Sequence, residues 1–420
     1  MKEVFRDTLK KFRRNHTILE NFGYLSILEL FNLVIPLATY PYLIKTLGKD
    51  MFGLVIYAQV LVSYLVILVS FGFSMSATKQ ISIYRNDQQK LNRIVSSVFF
   101  VKGVLFIFAL ILLLVILLLV PQGNANKILF ILSMWTCLYD FIFPVWFYQG
   151  IEKMKYITFL TLTSRLIFLF LIFILVKSPD DYLKVPIIYG IGSLSAGILS
   201  FYIMLTSFKI KLRIPDFRFI VFQFKDSYTL FLSNVIIAIK DKSNYILINA
   251  FIGPGALTEF DLALKIKGVL SIPIDLINKA LYPKISKDLN MAFMLKGMWI
   301  TLFITTTLTI ITFIFARPVT ALLGGAEMKY VVDITRIILL SIPVFTVSYF
   351  LSVNCINANG KYFLLLKGMI LTTAFYILFI VLGHFTGHLK SLYFYAICAV
   401  STYIFELLYR IYITRKHNLI

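Results

Sequence analysis

Six charged side chains lie inside two neighbouring apolar segments: Lys240, Asp241 and Lys242 in the first, Asp261, Lys265 and Lys267 in the second. A charge at the centre of a membrane-spanning helix costs roughly 2.5–3.5 kcal/mol. Six of them facing lipid would cost about 15–20 kcal/mol, more than the net stability of an ordinary domain. They must therefore face a bundle interior or a wet cavity. Ammonium groups held there bind anions, and carboxylates there take up protons or cations. That chemistry is binding.

Gly253-Pro254-Gly255 joins the two segments, so the helices that carry them should form an antiparallel pair. At about 1.5 Å per residue, Asp241 and Lys267 both lie roughly 20 Å from this turn, near mid-membrane, where they can pair. Asp261, Lys265, Asp275 and Lys279 share one face of the second helix, each Asp four residues before its Lys. That order favours an intrahelical ion pair. Pro273, between the two pairs, should kink the helix and free a carbonyl. One reading treats all these charges as structural pairs. The other starts from the six charges of the hairpin centre, whose four cations exceed its two carboxylates by two. Structural pairing needs no such surplus, whereas an anionic substrate does.

Arg165 lies about 15 Å inside another apolar run, where a guanidinium needs an anion or carbonyls. Glu29 has a similar depth, with Pro36 and Pro41 following it. It is either a protonatable coupling group or the partner of one of these cations. Asp140, Arg336 and Glu406 are nearer segment ends and should snorkel or pair, while Lys102 and Lys367 should snorkel. His384 and His388 are four residues apart but sit in a Gly-broken turn without further ligands, so no metal site is expected. No phosphate-binding loop, nucleophile elbow or zinc-protease helix occurs. Neither a catalytic residue nor an organic cofactor is expected.

The elements that must position these residues are membrane helices. The chain has 420 residues, 59% hydrophobic and 15% charged, with a mean hydropathy of +0.86. A soluble domain is about 45–50% apolar and about 25% charged, so an all-α polytopic membrane protein is expected. The net charge of +21 comes from basic residues between apolar runs rather than on one polar face. Positive-inside topology and anionic headgroups account for it, and nucleic acid is not an expected partner. Cys137, Cys355 and Cys398 are odd in number, lie in apolar runs and read as small core residues.

About twelve spans are expected, near 17–44, 52–77, 92–120, 127–149, 156–177, 185–207, 227–252, 256–282, 294–316, 331–356, 362–383 and 390–413. The first contains Glu20 and Glu29 and lacks a small-residue cleavage site, so it reads as an uncleaved span. With both termini cytoplasmic, the inside segments hold about 23 Lys and Arg against about seven outside. The basic segment 208–226, with Pro215, divides the chain into six-helix bundles at 1–207 and 227–420. "YLIKTLGKDMFG" before the second span is echoed by "YILINAFIGPGALTEF" before the eighth, and repeated halves are usual in secondary transporters.

Several stretches resemble the O-antigen flippase family, the Wzx-type polysaccharide transporters. They are "IPLATYPYLIKTLGKDMFGLVIYAQ" with "FGFSMSATKQISIYRND", "PVWFYQGIEKMKYIT" with "SRLIFLFLIFILVKSPDDY", and the shorter "ALYPKIS". The last also suits other relatives in the multidrug/oligosaccharidyl-lipid/polysaccharide exporter superfamily. The resemblance implies two six-helix bundles forming a V, as in the MATE branch, around a central cavity. It implies transfer of an undecaprenyl-pyrophosphate-linked oligosaccharide from the cytoplasmic to the periplasmic leaflet of a bacterial inner membrane. Membrane lipids, a polysaccharide polymerase and a chain-length regulator are the partners it implies, and H+ or Na+ the coupling ion. Cations line the cavity in relatives, and Arg165, Lys240, Lys242, Lys265 and Lys267 fit that role here. Asp241, Asp261 and Glu29 fit the coupling or pairing carboxylates. Relatives commonly have a neutral polar residue near Glu29, so this chain departs from the pattern there.

A multidrug exporter of the same fold should have an acidic or apolar cavity rather than a basic one. A major-facilitator permease should have a Gly-Asp-Arg loop, which "KQISIYRNDQQKLNRI" lacks. A membrane polymerase or glycosyltransferase needs a large outside loop or a carboxylate active site, and every outside segment is short.

Overall fold

The computed structural model describes residues 2–119, 126–325 and 328–419, and the described residues are helical without strands. The last residue of the third expected span and most of the loop after it, 120–125, lie outside them. The chain divides into two compact units, Met1–Tyr42 with Ala58–Val235 and Leu43–Tyr57 with Ile236–Ile420. The two units meet between Val235 and Ile236, inside a helix, and Leu43–Tyr57 packs with the second unit.

The first unit contains α1 (Lys2–Ser70, in part), α2 (Phe73–Tyr84), α3 (Gln88–Leu119), α4 (Lys127–Ser133), α5 (Trp135–Ile142), α6 (Val145–Gly150), α7 (Met154–Leu175) and α8 (Lys184–Thr206). The start of α9 (Phe217–Phe251) completes it. Its core is aromatic. Phe71 stacks on Phe231 at 4.5 Å, and the buried Tyr148 hydroxyl donates to the Ser200 carbonyl at 2.6 Å. Lys102 of α3 does not snorkel as its position suggests, for it is 2% exposed. Its ammonium pairs with the Asp140 carboxylate of α5 at 2.8 Å and also donates to the Asp140 carbonyl. A local partner removes the need to reach water.

The second unit contains the rest of α9, then α10 (Pro254–Leu270), α11 (Ile272–Asp288), α12 (Met291–Ile314), α13 (Ala316–Gly324), α14 (Val331–Leu339) and α15 (Ser341–Phe350). A π-helical turn, Leu351–Asn357, leads to α16 (Tyr362–Phe385) and α17 (Leu392–Lys416). Thr305 of α12 and Thr346 of α15 bond across buried faces at 3.1 Å, the small-residue packing that lipid-embedded helices favour. Pro273 does interrupt its helix. α10 stops at Leu270, α11 resumes at Ile272, and the Ser271 N–H and hydroxyl both bond back to the Lys267 carbonyl at 3.0 Å. All three cysteines are buried.

Nine apolar helical stretches among the described residues are long enough to cross a membrane. One of them, Gly23–Tyr84, has 62 residues. At about 1.5 Å each that is roughly 90 Å, enough for two crossings of a core about 30 Å thick. Gly48, at φ 77° and ψ 160°, breaks it where two crossings need a break. The charge-bearing α9 and the α10–α11 pair supply two more, giving about twelve.

The echoed turns meet. Gly48 and Gly253 both take positive φ, and the segments that follow them pack on each other inside the second unit. A Cβ on Gly53 would lie 1.9 Å from the Pro254 carbonyl oxygen. The Thr258 hydroxyl donates to the Lys49 carbonyl at 2.7 Å. Beside it, the buried Glu259 carboxylate lies 3.7 Å from the Lys49 ammonium and accepts the Tyr330 N–H at 2.7 Å.

Candidate functional site

Helices α9 and α10 leave the Gly253 turn side by side, and this hairpin places Lys240 and Lys267 against α17. Gly253 adopts φ 126°, which an L side chain resists, and Pro254 opens α10 where its missing N–H has no cost. The Tyr245 hydroxyl of α9 donates to the Asp261 carboxylate of α10 at 2.8 Å, tying the helices together. Asp261 is 3% exposed. Desolvation of a carboxylate this deep requires such partners.

Lys240 lies between two acids. Its ammonium is 3.5 Å from Asp241 and 3.4 Å from Glu406 of α17. Glu406 is also gripped by Arg410, whose guanidinium bonds the Ser348 carbonyl and hydroxyl at 2.8 Å. Lys267 points at rings: its ammonium lies 3.7 Å from the centre of Tyr403 and 5.3 Å from that of Phe345. Lys240 approaches the same Tyr403 ring at 5.6 Å. A cation on an aromatic face in a desolvated site gains about 2 kcal/mol, which explains how Lys267 stays buried.

The expected Asp241–Lys267 pair is thus not a direct contact. The two remain electrostatic neighbours, but Asp241 turns toward Lys240 and is 47% exposed. Lys242 lies within electrostatic range of Asp241, and Lys265 is exposed. Between the helices a cavity of about 260 Å³ is lined by Lys240, Asp241, Asn244, Phe260, Tyr376 and Tyr403. The Tyr376 hydroxyl donates to Asn244 at 2.8 Å and holds that wall in place. Ligand pockets usually run to about 300–1,000 Å³, so this one suits a phosphate group or an ion rather than a sugar chain.

Arg165 and Glu29 belong to the first unit. Arg165 is half-buried on α7, electrostatically close to Tyr139 and Tyr189, and Glu29 is exposed on α1. Glu406, whose place near a span end predicts snorkelling or pairing, pairs; it does so 12% exposed and inside the cluster. Tyr403, Arg410, Tyr245 and Phe345 are members of the site that the charge pattern alone does not mark. The spacing of Tyr403, Glu406 and Arg410, three and four residues apart, puts them on one face of α17 and is the signal available for them. By residue type the two hairpin helices and α17 carry Lys240, Lys242, Lys265, Lys267 and Arg410 with Asp241, Asp261 and Glu406 in this region, while the cavity wall itself holds Lys240 and Asp241.

The sequence model of the family described as "Polysaccharide biosynthesis protein" matches residues 18–288, which include Glu29, Arg165 and the whole charged hairpin. An Escherichia coli (strain K12) protein named "Putative O-antigen transporter" is 30% identical over 272 residues, covering 64% of this chain and 65% of that one. The match thus spans just under two thirds of that relative's length. A Shigella dysenteriae protein of the same name is 28% identical over 269 residues, 64% of this chain and 67% of that one. Among solved structures, "Lipid II flippase MurJ, inward closed conformation" aligns with a TM-score of 0.73 at 17% identity. It covers 93% of this chain and 87% of that chain. An inward-facing multidrug resistance MATE family transporter of the MOP superfamily gives 0.68 at 13% identity, over 95% and 98% of the chains. The fold is shared with both.

Proposed function

The chain belongs to the family of polysaccharide biosynthesis proteins, and we propose that it flips an undecaprenyl-pyrophosphate-linked oligosaccharide from the cytoplasmic to the periplasmic leaflet of a bacterial inner membrane. The observation that carries this reading is the pair of ammonium groups, Lys240 and Lys267, that approach the Tyr403 ring beside the cavity of about 260 Å³, where an anionic head can bind. A pyrophosphate and its sugar hydroxyls lose their water in hydrocarbon, at a cost of several kcal/mol per unpaired group. A wet cationic site replaces that hydration while the polyprenyl tail stays in lipid. In this reading Lys240 and Lys267, with Lys242 and Lys265 on the same hairpin, attract the pyrophosphate. Asp241, which pairs with Lys240, answers a coupling H+ or Na+ by releasing or recapturing that cation. The two sides of the membrane gain access in turn.

An organic-cation exporter of the same fold would want an acidic or apolar site, and the ammonium groups of Lys240 and Lys267 on the Tyr403 ring have the opposite sign. Proteoliposomes with a fluorescent lipid-linked oligosaccharide distinguish the two. The flippase reading expects protein-dependent transfer between leaflets, faster under an imposed H+ or Na+ gradient. Transport of cationic dyes without transfer of the lipid-linked sugar would replace it with the exporter.

A further inference from the structure

The first unit holds a second pocket, far along the sequence from the charged hairpin. Its volume is about 520 Å³, and its wall includes Lys79, Ile83, Lys90, Arg93, Phe219 and Phe222. It lies where four helices end: α2 stops at Tyr84, α3 starts at Gln88, α8 stops at Thr206 and α9 starts at Phe217. Helix ends of a polytopic bundle lie at the headgroup level, so this pocket opens there.

The segment between α8 and α9 is fastened to α3. Gln88, Asn92 and Ser96 recur every four residues along one face of α3. Gln88 donates to the carbonyls of Phe208 and Lys209 at 3.2 and 3.1 Å. Asn92 accepts the Lys211 N–H at 3.0 Å, and Ser96 accepts that of Arg213 at 2.9 Å. Within this segment Ile210 is buried, while Lys209, Lys211 and Arg213 are exposed. At the far end of the strap, Ile214 is 95% exposed and Phe217 75% exposed. Apolar side chains left bare beside a basic strip suit the boundary of a bilayer with anionic heads.

Cations and rings alternate in the pocket itself. The Lys90 ammonium lies 4.5 Å above the Tyr84 ring, and the Arg93 guanidinium 4.3 Å above Phe219. Lys90 has Asp87 at 3.5 Å and Arg93 has Asp216 at 3.6 Å. Both acids are also engaged by helix N-termini. Asp87 accepts the N–H groups of Gln89 and Lys90, and Asp216 that of Arg218. The backbone N–H of Lys90 holds the Asp87 carboxyl below the usual carboxylate range. Asp226, in the wall, accepts from Gln80 at 2.9 Å, and Gln80 and the buried Gln223 bond each other reciprocally at 3.0 and 2.7 Å. Among the described residues no carboxylate pairs with Lys79. Ile83 and Phe222, 61% and 52% exposed, form an apolar ramp beside these cations.

We propose that this pocket binds the phosphate head of a membrane lipid, with Lys79, Lys90 and Arg93 around the phosphate and the tail on Ile83 and Phe222. The head chemistry is shared by anionic glycerophospholipids and by polyprenyl phosphates. The inference is independent of the flippase reading, since neither Lys240 nor its cavity enters it.

Native mass spectrometry of the detergent-solubilised full chain tests it, with phosphatidylglycerol, undecaprenyl phosphate and zwitterionic phosphatidylcholine as probes. Wild type should retain at least one of the two anionic lipids in preference to phosphatidylcholine. Lys79→Ala/Arg93→Ala should weaken that retention roughly thirtyfold, about fivefold for each cation removed. Lys79→Ala alone changes an exposed side chain and should cost about fivefold without touching the fold. Preference for phosphatidylglycerol assigns the site to a resident lipid, and preference for undecaprenyl phosphate to a carrier lipid. Equal retention of phosphatidylcholine, or retention unchanged in both variants, would overturn the proposal.

Discussion

Lys240 of α9 and Glu406 of α17 form an ion pair at 3.4 Å across 166 residues of sequence. The pair ties the charged hairpin to the last helix, and Arg410 ties Glu406 in turn to the Ser348 carbonyl of α15. On the proposed flippase reading, an anionic head would compete with Glu406 for Lys240.

Glu406→Gln should leave Lys240 and Arg410 short of a counter-ion. Removing one partner of a buried pair costs about 3–5 kcal/mol. Thermal unfolding of purified Lys240→Met, Glu406→Gln and the double variant, run as a cycle, should give a coupling of about 0.5–3 kcal/mol. Additive single effects would show that the contact carries no energy.

Lys267 depends on the Tyr403 ring rather than on the Tyr403 hydroxyl. Tyr403→Phe keeps the aromatic face and should preserve transport and stability. Tyr403→Leu removes a contact worth about 2 kcal/mol in a desolvated site and should lower both. The measurement is surface polysaccharide per unit of membrane-inserted protein, alongside the thermal midpoint. Equal behaviour of the two variants would remove the cation–π role.

The meeting of the two echoed turns makes Gly53 sterically obligatory. Its added Cβ would lie 1.9 Å from a backbone oxygen of Pro254, which cannot swing away as a side-chain tip could. Gly53→Ala should sharply reduce monodisperse protein in fluorescence-detected size exclusion. Gly268→Ala, where nothing lies within 4 Å, is the matched control and should behave as wild type.

Lys102→Met should destabilise the first unit by about 3–5 kcal/mol, because Asp140 is left inside without its cation. Lys102→Met/Asp140→Asn should recover much of that loss. Thermal unfolding of the three variants checks it, and a double variant no better than the single would show that the pair is not what holds α3 to α5.

The hairpin is legible in the amino-acid sequence, because burying charges in apolar runs without partners is so costly that their positions must be special. Gly253 and Pro254 announce its turn through their backbone restrictions, and Pro273 announces the break between α10 and α11. The count of crossings follows from length and hydropathy. The partners do not follow. Asp241 and Lys267 share a depth, but which way each side chain turns depends on Tyr403 and Glu406, brought in by tertiary packing from far along the chain. Lys102 reads as a snorkelling residue because its span is expected to begin near residue 92 at the cytoplasmic face, and only the approach of α5 supplies Asp140. Sequence periodicity places residues on a face; it does not say what the face meets.

Whether the surplus cations of the hairpin hold an anionic head during transfer across the membrane is tested most directly in cells. The measurement is surface polysaccharide in a flippase-deficient strain carrying the Lys240→Ala/Lys265→Ala double variant, with membrane-inserted protein quantified in parallel. Loss of surface polysaccharide at wild-type protein levels is the predicted result. Wild-type polysaccharide from that variant would contradict the electrostatic account.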